Sequence, residues 1–436
     1  MVKSYKVLLK QHIGAPSIPL VKTGDVVVCG QLIAGLNGLG VNQHAGVSGK
    51  IIAVTDAYIE IEKLSPEDDT FRPTTPPPLT SPARNDIIDL VKAAGLSGMG
   101  GAGFPTHVKL GTDLDGGVIL ANAAECEPLL AHNIRQLESN PELIYCGIRY
   151  AMKATGAAKG ILAIKEKHQE AIQSFQKIIN PADRIELFFL RDLYPMGEER
   201  AIVRDALGTL LDVSQLPSAA KAVVLNIETL SRIAEAVDLR KPVLSKNLTV
   251  VGKFKSGRES RVFFDVPLGT PIRDLIEEMG GIDGNYGEII AGGPFTGKRT
   301  SPDDVVTKTM GGIIVTMEFP KEKRPLGLLV CACGGNEERL REIAAGMEGE
   351  VAAVEHCKQA KDVKGALKCE NPGNCPGQAE KILELRKKKA QALLISNCSD
   401  CTNTVMCVAP KLNMPVYHCT DHVMRTVNHR LIRRLN

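Results

Sequence analysis

The stretch GLSGMGGAGFPTHVK, residues 95–109, follows a helical pattern and gathers glycines into a turn. With no Cβ, a glycine lets backbone N–H groups approach a phosphate or a flat ring closely. The stretch is neither the dinucleotide fingerprint nor a P-loop, which needs Gly-Lys-Ser/Thr. Alone it reads as a tight turn near a domain junction. Three more stretches give it company. NAAECEP (122–128) follows a predicted strand, YPMGEERAIVRDALG (194–208) opens a helix, and LNIETLSRI (225–233) joins a strand to a helix. Each sets polar groups at a strand end, where α/β sheets bind ligands.

Around these motifs, strand patterns (GVILAN, GILAIK, IELFFL, AVVLN) alternate with helices such as PELIYCGIRYAMKATG, which has Pro141 in its first turn after Asn140. That alternation predicts an α/β layered domain over 85–246. Asn85 is expected to cap its first helix, DIIDLVKAA, which stops at Gly95. Upstream, 1–64 reads as short strands with Gly punctuation, a small β-sandwich of hairpins. It resembles biotinyl/lipoyl-like barrel-sandwich domains, whose carriers need a lysine at the hairpin tip. Here the turn Gly35 to Gly40, GLNGLG, has none, so the domain is read as structural. Residues 65–84 are a Pro-rich, stiff linker. Residues 247–322 predict a small α+β unit with a helix opening at Thr270-Pro271, and 323–436 return to strand–helix alternation. The whole is a multidomain α/β chain.

At 436 residues the chain is too long for one core. A net charge of +3, no Trp and no basic stripe with interleaved aromatics argue against nucleic acid. The start, MVKSYKVLLKQHIGAP, lacks the apolar core of a signal peptide, and no apolar run approaches a membrane span. The expectation is a cytoplasmic protein without a membrane span. In a reducing cytosol its twelve cysteines are more often ligands or redox groups than bridges.

Nine of the twelve fall after residue 330. Cys331 and Cys333 end the first predicted strand there, His356-Cys357 the second, Cys398 and Cys401 the third, and His418-Cys419 the fourth. In a parallel sheet these ends share one edge, so the thiols are expected to converge on one crevice. In NCSDCTN, Ser399 or Asp400 is expected to cap a helix whose N-terminus favours thiolate, making Cys398 and Cys401 a redox pair. The same spacing suits zinc or an iron–sulfur cluster, with Cys331, Cys333, Cys357, Cys398, Cys401 and Cys419 as alternative ligands. Both readings stay open. Cys29 and Cys146 read as small buried hydrophobes.

The four motifs, in this order, resemble the flavin- and NADH-binding subunit of respiratory complex I. They are more similar still to the C subunit of Rnf electron-transport complexes, over about the first 320 residues. The resemblance implies a barrel-sandwich hybrid, an FMN/NADH-binding α/β domain and a β-grasp, SLBB-like domain before the Cys-rich domain. It implies that Gly98, Gly100 and Gly103 lie against the isoalloxazine, with Lys109 near the flavin or its phosphate. Asn122, Tyr194, Gly197 and Glu198 would line the site, and Asn226 and Thr229 would hold the FMN phosphate. Phe104, Glu127 and Glu199 would face NADH. This chain departs from the pattern at Ala124, where an acid is usual, at Met99, where an arginine is usual, and after Lys109, where no aromatic follows. The two ferredoxin-type cluster motifs of Rnf C subunits are also absent. The segments CENPGNCPGQ, SNCSDCTNTVM and NHRLIRRL resemble Rnf-like electron-transfer proteins associated with D-proline reductase. That resemblance implies electrons passing from NADH through FMN and the cysteines to D-proline reductase. The alternative is a non-catalytic adaptor that keeps the scaffold and uses a metal in its C-terminal domain for docking.

Overall fold

Alternating apolar residues make the first strands. Ser4–Leu8, Tyr58–Lys63, Gly49–Val54 and Val26–Val27 lie side by side, in that order, as one antiparallel sheet. Ile18–Pro19, Leu32–Gly35 and Gln43–His44 form a second. Val7, Ile33, Ile51, Ile59 and Ile61 fill the space between them, which is the predicted sandwich. The computed structural model describes residues 3–64, 70–72 and 81–433. The predicted linker at 65–84 therefore lies mostly outside the described residues.

The first helix, Arg84–Ala93, starts one residue before Asn85. Its cap is the Asp86 carboxylate, which accepts from Ala83 N at 2.8 Å, so the expectation of an Asn85 cap is corrected. Next comes a wholly parallel sheet in the order Ile185–Leu190, Lys159–Lys165, Val118–Ala123, Ala222–Asn226. Its strands are apolar on both faces because both are covered. Ile119, Leu162 and Leu225 pack with Ile148 and Leu230 of helices Pro141–Thr155 and Ile227–Asp238. On the opposite face Leu120, Ile161 and Val224 pack with Ile202 of helix Glu199–Leu207. The strand order reverses between Val118–Ala123 and Ala222–Asn226, where Asn122 and Asn226 are register partners. Ligand crevices form at such reversals.

Residues 245–315 make a five-stranded mixed sheet with helix Ile272–Glu278 laid on it through Ile272, Leu275 and Ile276. The C-terminal domain is a second parallel sheet, ordered Val351–His356, Leu326–Val330, Ala392–Ile395, Val416–His418. After its second strand comes a hairpin, Ala360–Val363 with Ala366–Cys369, which the polar stretch KQAKDVKGALKC did not predict.

Buried polar ties join the domains. Lys308, fully buried, donates from Nζ to Asn42 O at 2.8 Å and Gly95 O at 2.7 Å, and its backbone N donates to Gln11 Oε1. Glu288 meets Arg339 and His422 of the C-terminal domain. Burial alone would raise its pKa, but those two partners hold it at about 2. Among the described residues no helix is long and apolar enough to cross a membrane.

Candidate redox site

The glycine loop closes on itself through Gly98 N to Phe104 O (2.9 Å), and its apex points at the start of helix Ile227–Asp238. Met99 N donates to Thr229 Oγ1 at 2.9 Å. At Gly100 a Cβ would stand 2.4 Å from Asn226 Nδ2, so a larger residue would have to displace the Asn226 side chain. Asn226 caps the helix, accepting from Glu228 N at 2.8 Å. The N–H groups of Gly100, Gly101 and Ala102 donate to no partner among the described residues. Free backbone donors beside a helix N-terminus are an anion cradle, formed here by this apex with Asn226 and Thr229. Gly103 is turned the other way, its carbonyl accepting from Ile13 N of the sandwich at 3.0 Å.

Across the crevice, Asn122 Nδ2 donates to Gly197 O at 2.9 Å and Gly197 N donates to Cys126 Sγ at 2.8 Å. Lys109 Nζ donates to Glu199 Oε1 at 2.6 Å and Val224 O at 3.1 Å, at a half-exposed rim. Two expected site acids have other work. Glu198 caps helix Glu199–Leu207, accepting from Arg200 N and Ala201 N, each at 2.9 Å. Glu127 accepts from Phe295 N (2.8 Å), Thr296 N (2.9 Å) and Thr296 Oγ1 (2.6 Å) of the five-stranded unit. Burial raises the pKa of Glu127 against these bonds. Glu125, which sequence reasoning passed over, receives Asn133 Nδ2 at 3.1 Å, and burial pushes its carboxyl up to about 7. Phe104 is half-buried beside the loop.

Tyr194, expected to line the flavin site, is instead buried in the core of the C-terminal domain. Its ring stacks on that of Phe295, and its N–H donates to Ser399 Oγ at 3.2 Å. Phe295 meets His418 edge-on. Arg204 binds Asn371 Oδ1 and Pro372 O, each at 2.6 Å, and Arg200 binds Cys369 O, so helix Glu199–Leu207 carries the C-terminal domain at its side.

The strand ends of that domain do bring thiols together. Sulfurs of Cys331, Cys357 and Cys401 lie within 4.8 Å of one another, all three residues buried. Cys331 and Cys357 first, then Cys375 and Cys398, act on the Cys401 thiol, and Cys331 and Cys369 on that of Cys333, each raising its pKa. Hydrogen bonds from Cys333, Cys357 and Cys401 pull Cys331 well below the ordinary thiol value. Cys375 is held at about 6, by Cys401 first and then by Gln378 and Gly377, against its burial. Cys419, expected in the same set, lies outside the triangle with its sulfur 3.7 Å from His418 Nδ1. Neither expected cap holds helix Ser399–Val408. Cys398 is its cap residue, Ser399 Oγ serves Tyr194, and the Asp400 carboxylate accepts from Cys375 N. Cys369, Cys375 and Phe295 were not singled out as site residues from sequence. The available signals were the segment CENPGNCPGQ, which holds both cysteines, and an aromatic in AGGPFTGK, in a chain with 4% aromatics.

A family described as the Nuo51 FMN-binding domain matches residues 91–235, and one described as the RnfC barrel sandwich hybrid domain matches residues 1–66. The C subunit of the Na+-translocating ferredoxin:NAD+ oxidoreductase complex of Acetobacterium woodii is 34% identical over 334 residues, 73% of this chain and 75% of that protein. Its counterpart in the proton-translocating ferredoxin:NAD+ oxidoreductase complex of Clostridium ljungdahlii is 30% identical over 319 residues, 70% of this chain and 69% of its own length. Cobalamin reductase PduS of Salmonella typhimurium is 39% identical over 232 residues, covering 53% of this chain and 50% of that one.

Proposed function

Because the chain belongs to the family of C subunits of ion-translocating ferredoxin:NAD+ oxidoreductase complexes, we propose that it is a cytoplasmic electron-transfer flavoprotein. In this reading NADH is the donor, FMN the first acceptor and the C-terminal cysteines the next carrier. FMN, when bound, supplies the exchange between a hydride donor and one-electron carriers. The protein's own part is to bind and to orient. The apex N–H groups with Asn226 and Thr229 take the phosphate, and Asn122 holds the Gly197 backbone. Lys109 and Glu199 hold each other at the open rim, where a nicotinamide would enter. The observation that carries this reading is the register pairing of Asn122 with Asn226 at the strand-order reversal, under a loop with free N–H groups.

Downstream, the resemblance of the tail segments supports D-proline reductase as the acceptor. Cys398 and Cys401 are the relay pair read from sequence, and Cys401 sits at the centre of the thiol group. A second reading, a non-catalytic adaptor, is favoured by one observation: Glu127 and Glu198 are both consumed in structural hydrogen bonds. One experiment separates the two. Reconstituted with FMN and titrated anaerobically with NADH, an electron-transfer protein retains about one flavin per chain, bleached by NADH. A folded chain that takes up no flavin leaves the adaptor.

A further inference from the structure

We propose that Cys331, Cys357, Cys375 and Cys401 are the four sulfur ligands of a single metal centre. This deepens the electron-transfer reading by naming the carrier in the C-terminal domain, and its test needs neither flavin nor NADH.

Three of the sulfurs come from three different segments. Cys331 directly follows the strand Leu326–Val330, Cys357 the strand Val351–His356, and Cys401 lies in the first turn of helix Ser399–Val408. A dithiol relay needs two sulfurs, whereas here three converge within 4.8 Å, near the spacing that four thiolates about 2.3 Å from one metal impose. The fourth comes from the loop beyond the hairpin, where Cys375 shares the Gln378 amide with Cys357. Nitrogen donors converge on this set. Gly377 N stands 3.3 Å from Cys375 Sγ, and the Gln378 amide reaches Cys357 Sγ at 3.2 Å and Cys375 Sγ at 3.4 Å. N–H groups aimed at sulfur are the outer shell that orients ligating thiolates. One buried amide shared by two sulfurs fixes Cys375 to the same group as Cys357. Cys398 makes the weaker fourth ligand, since no N–H donates to its sulfur among the described residues, whereas Cys375 has two such donors.

A second observation is independent of the thiols. Asn397, one residue before Cys398, is fully buried, and neither its Oδ1 nor its Nδ2 has a partner among the described residues. Buried carboxamides are nearly always paired, so this one, next in the chain to Cys398, is a polar group that no described residue satisfies. The donors are sulfur only, which selects zinc or an iron–sulfur cluster over harder cations. The centre is not sealed. Cys375 lines an open cleft of about 630 Å³ with Lys358, Glu370, Asn374 and Asp400.

The test uses the full chain, purified anaerobically and reconstituted separately with zinc and with iron plus sulfide. Wild type and Cys407→Ser, an exposed cysteine outside the group, are expected to hold one centre per chain. Cys401→Ser should lose it, and Cys375→Ser should release its metal to a chelator at least tenfold faster. Iodoacetamide footprinting of wild type covers the case of a variant that fails to fold. Cys375 should be protected in the loaded chain and alkylated after chelation, with Cys407 alkylated in both. Failure to hold either metal, or equal Cys375 labelling before and after chelation, overturns the proposal. So does a folded Cys375→Ser chain that keeps its metal as wild type does. Iron with sulfide supports both the site and the electron path. Zinc supports the site but removes these cysteines from electron transfer, because zinc has no redox chemistry.

Discussion

Tyr194 and Phe295 lie face to face, their rings within 1° of parallel and their centroids 3.7 Å apart. One belongs to the flavin-domain loop and the other to the five-stranded unit, yet both are buried in the core that holds Cys331, Cys357 and Cys401. The stack is thus where three domains meet. Phe295→Ala is expected to cost about 3–5 kcal/mol, and Phe295→Leu about 0.5–1.5 kcal/mol for the lost ring–ring contact. Urea denaturation checks both. A Phe295→Ala chain within 1 kcal/mol (roughly, by the same scale) of wild type means that the stack does not seal the junction.

Glu127 is expected to act as a clamp. Its three hydrogen bonds to Phe295 and Thr296 leave donors unpaired in Glu127→Ala, at a cost of about 2–4 kcal/mol. Glu127→Gln keeps an acceptor and should lose less. Gly293→Ala attacks the same contact, since a Cβ there would stand 2.3 Å from the Glu127 carboxyl carbon. Should Glu127→Gln slow flavin bleaching by NADH at unchanged stability, the residue belongs to the nicotinamide side after all.

Glu199 is expected to show the opposite pattern. Its pair with Lys109 is partly solvent-exposed, so Glu199→Ala should change stability by less than about 1 kcal/mol. Flavin should still bind. Stopped-flow bleaching by NADH should slow about tenfold, equivalent to about 1.4 kcal/mol in the barrier. Equal rates would place the donor site elsewhere.

The raised pKa of Glu125, about 7 against an ordinary 4.5, has a consequence for stability. The folded chain keeps a proton that the unfolded chain releases. Its contribution is complete below pH 4.5 and is lost as pH rises through 7. Between pH 5 and pH 8, wild type should therefore lose stability relative to Glu125→Gln, which does not titrate. Parallel pH profiles of the two denaturation midpoints would remove Glu125 from this account.

What could be read from sequence follows physical range. The sandwich, the two parallel sheets and the cysteines at strand ends rest on local period and punctuation, and the sequence shows these directly. The placing of Asn122 and Asn226 at neighbouring strand ends was legible because the strand patterns stop at them. The structural partners of Glu127, Glu198 and Tyr194 were not legible because they lie elsewhere in the fold or compete locally. Glu127 binds residues 168 and 169 positions away, and Tyr194 binds Ser399 205 positions away. Cys375 sits in a turn with no periodicity, 18 residues after the Cys357 with which it shares the Gln378 amide. No local motif joins them.

Lys308 adds a matter of timing. Its ammonium group serves Gly95 O, 213 residues earlier, and Asn42 O, 266 residues earlier. At roughly 5–20 residues per second on the ribosome, the end of the first helix waits about 10–40 s for the side chain that satisfies its carbonyl. The glycine loop begins at that carbonyl, so its start is secured only after residue 308 has been made. A nascent chain halted before residue 308 would carry the whole four-stranded parallel sheet and still lack a finished loop.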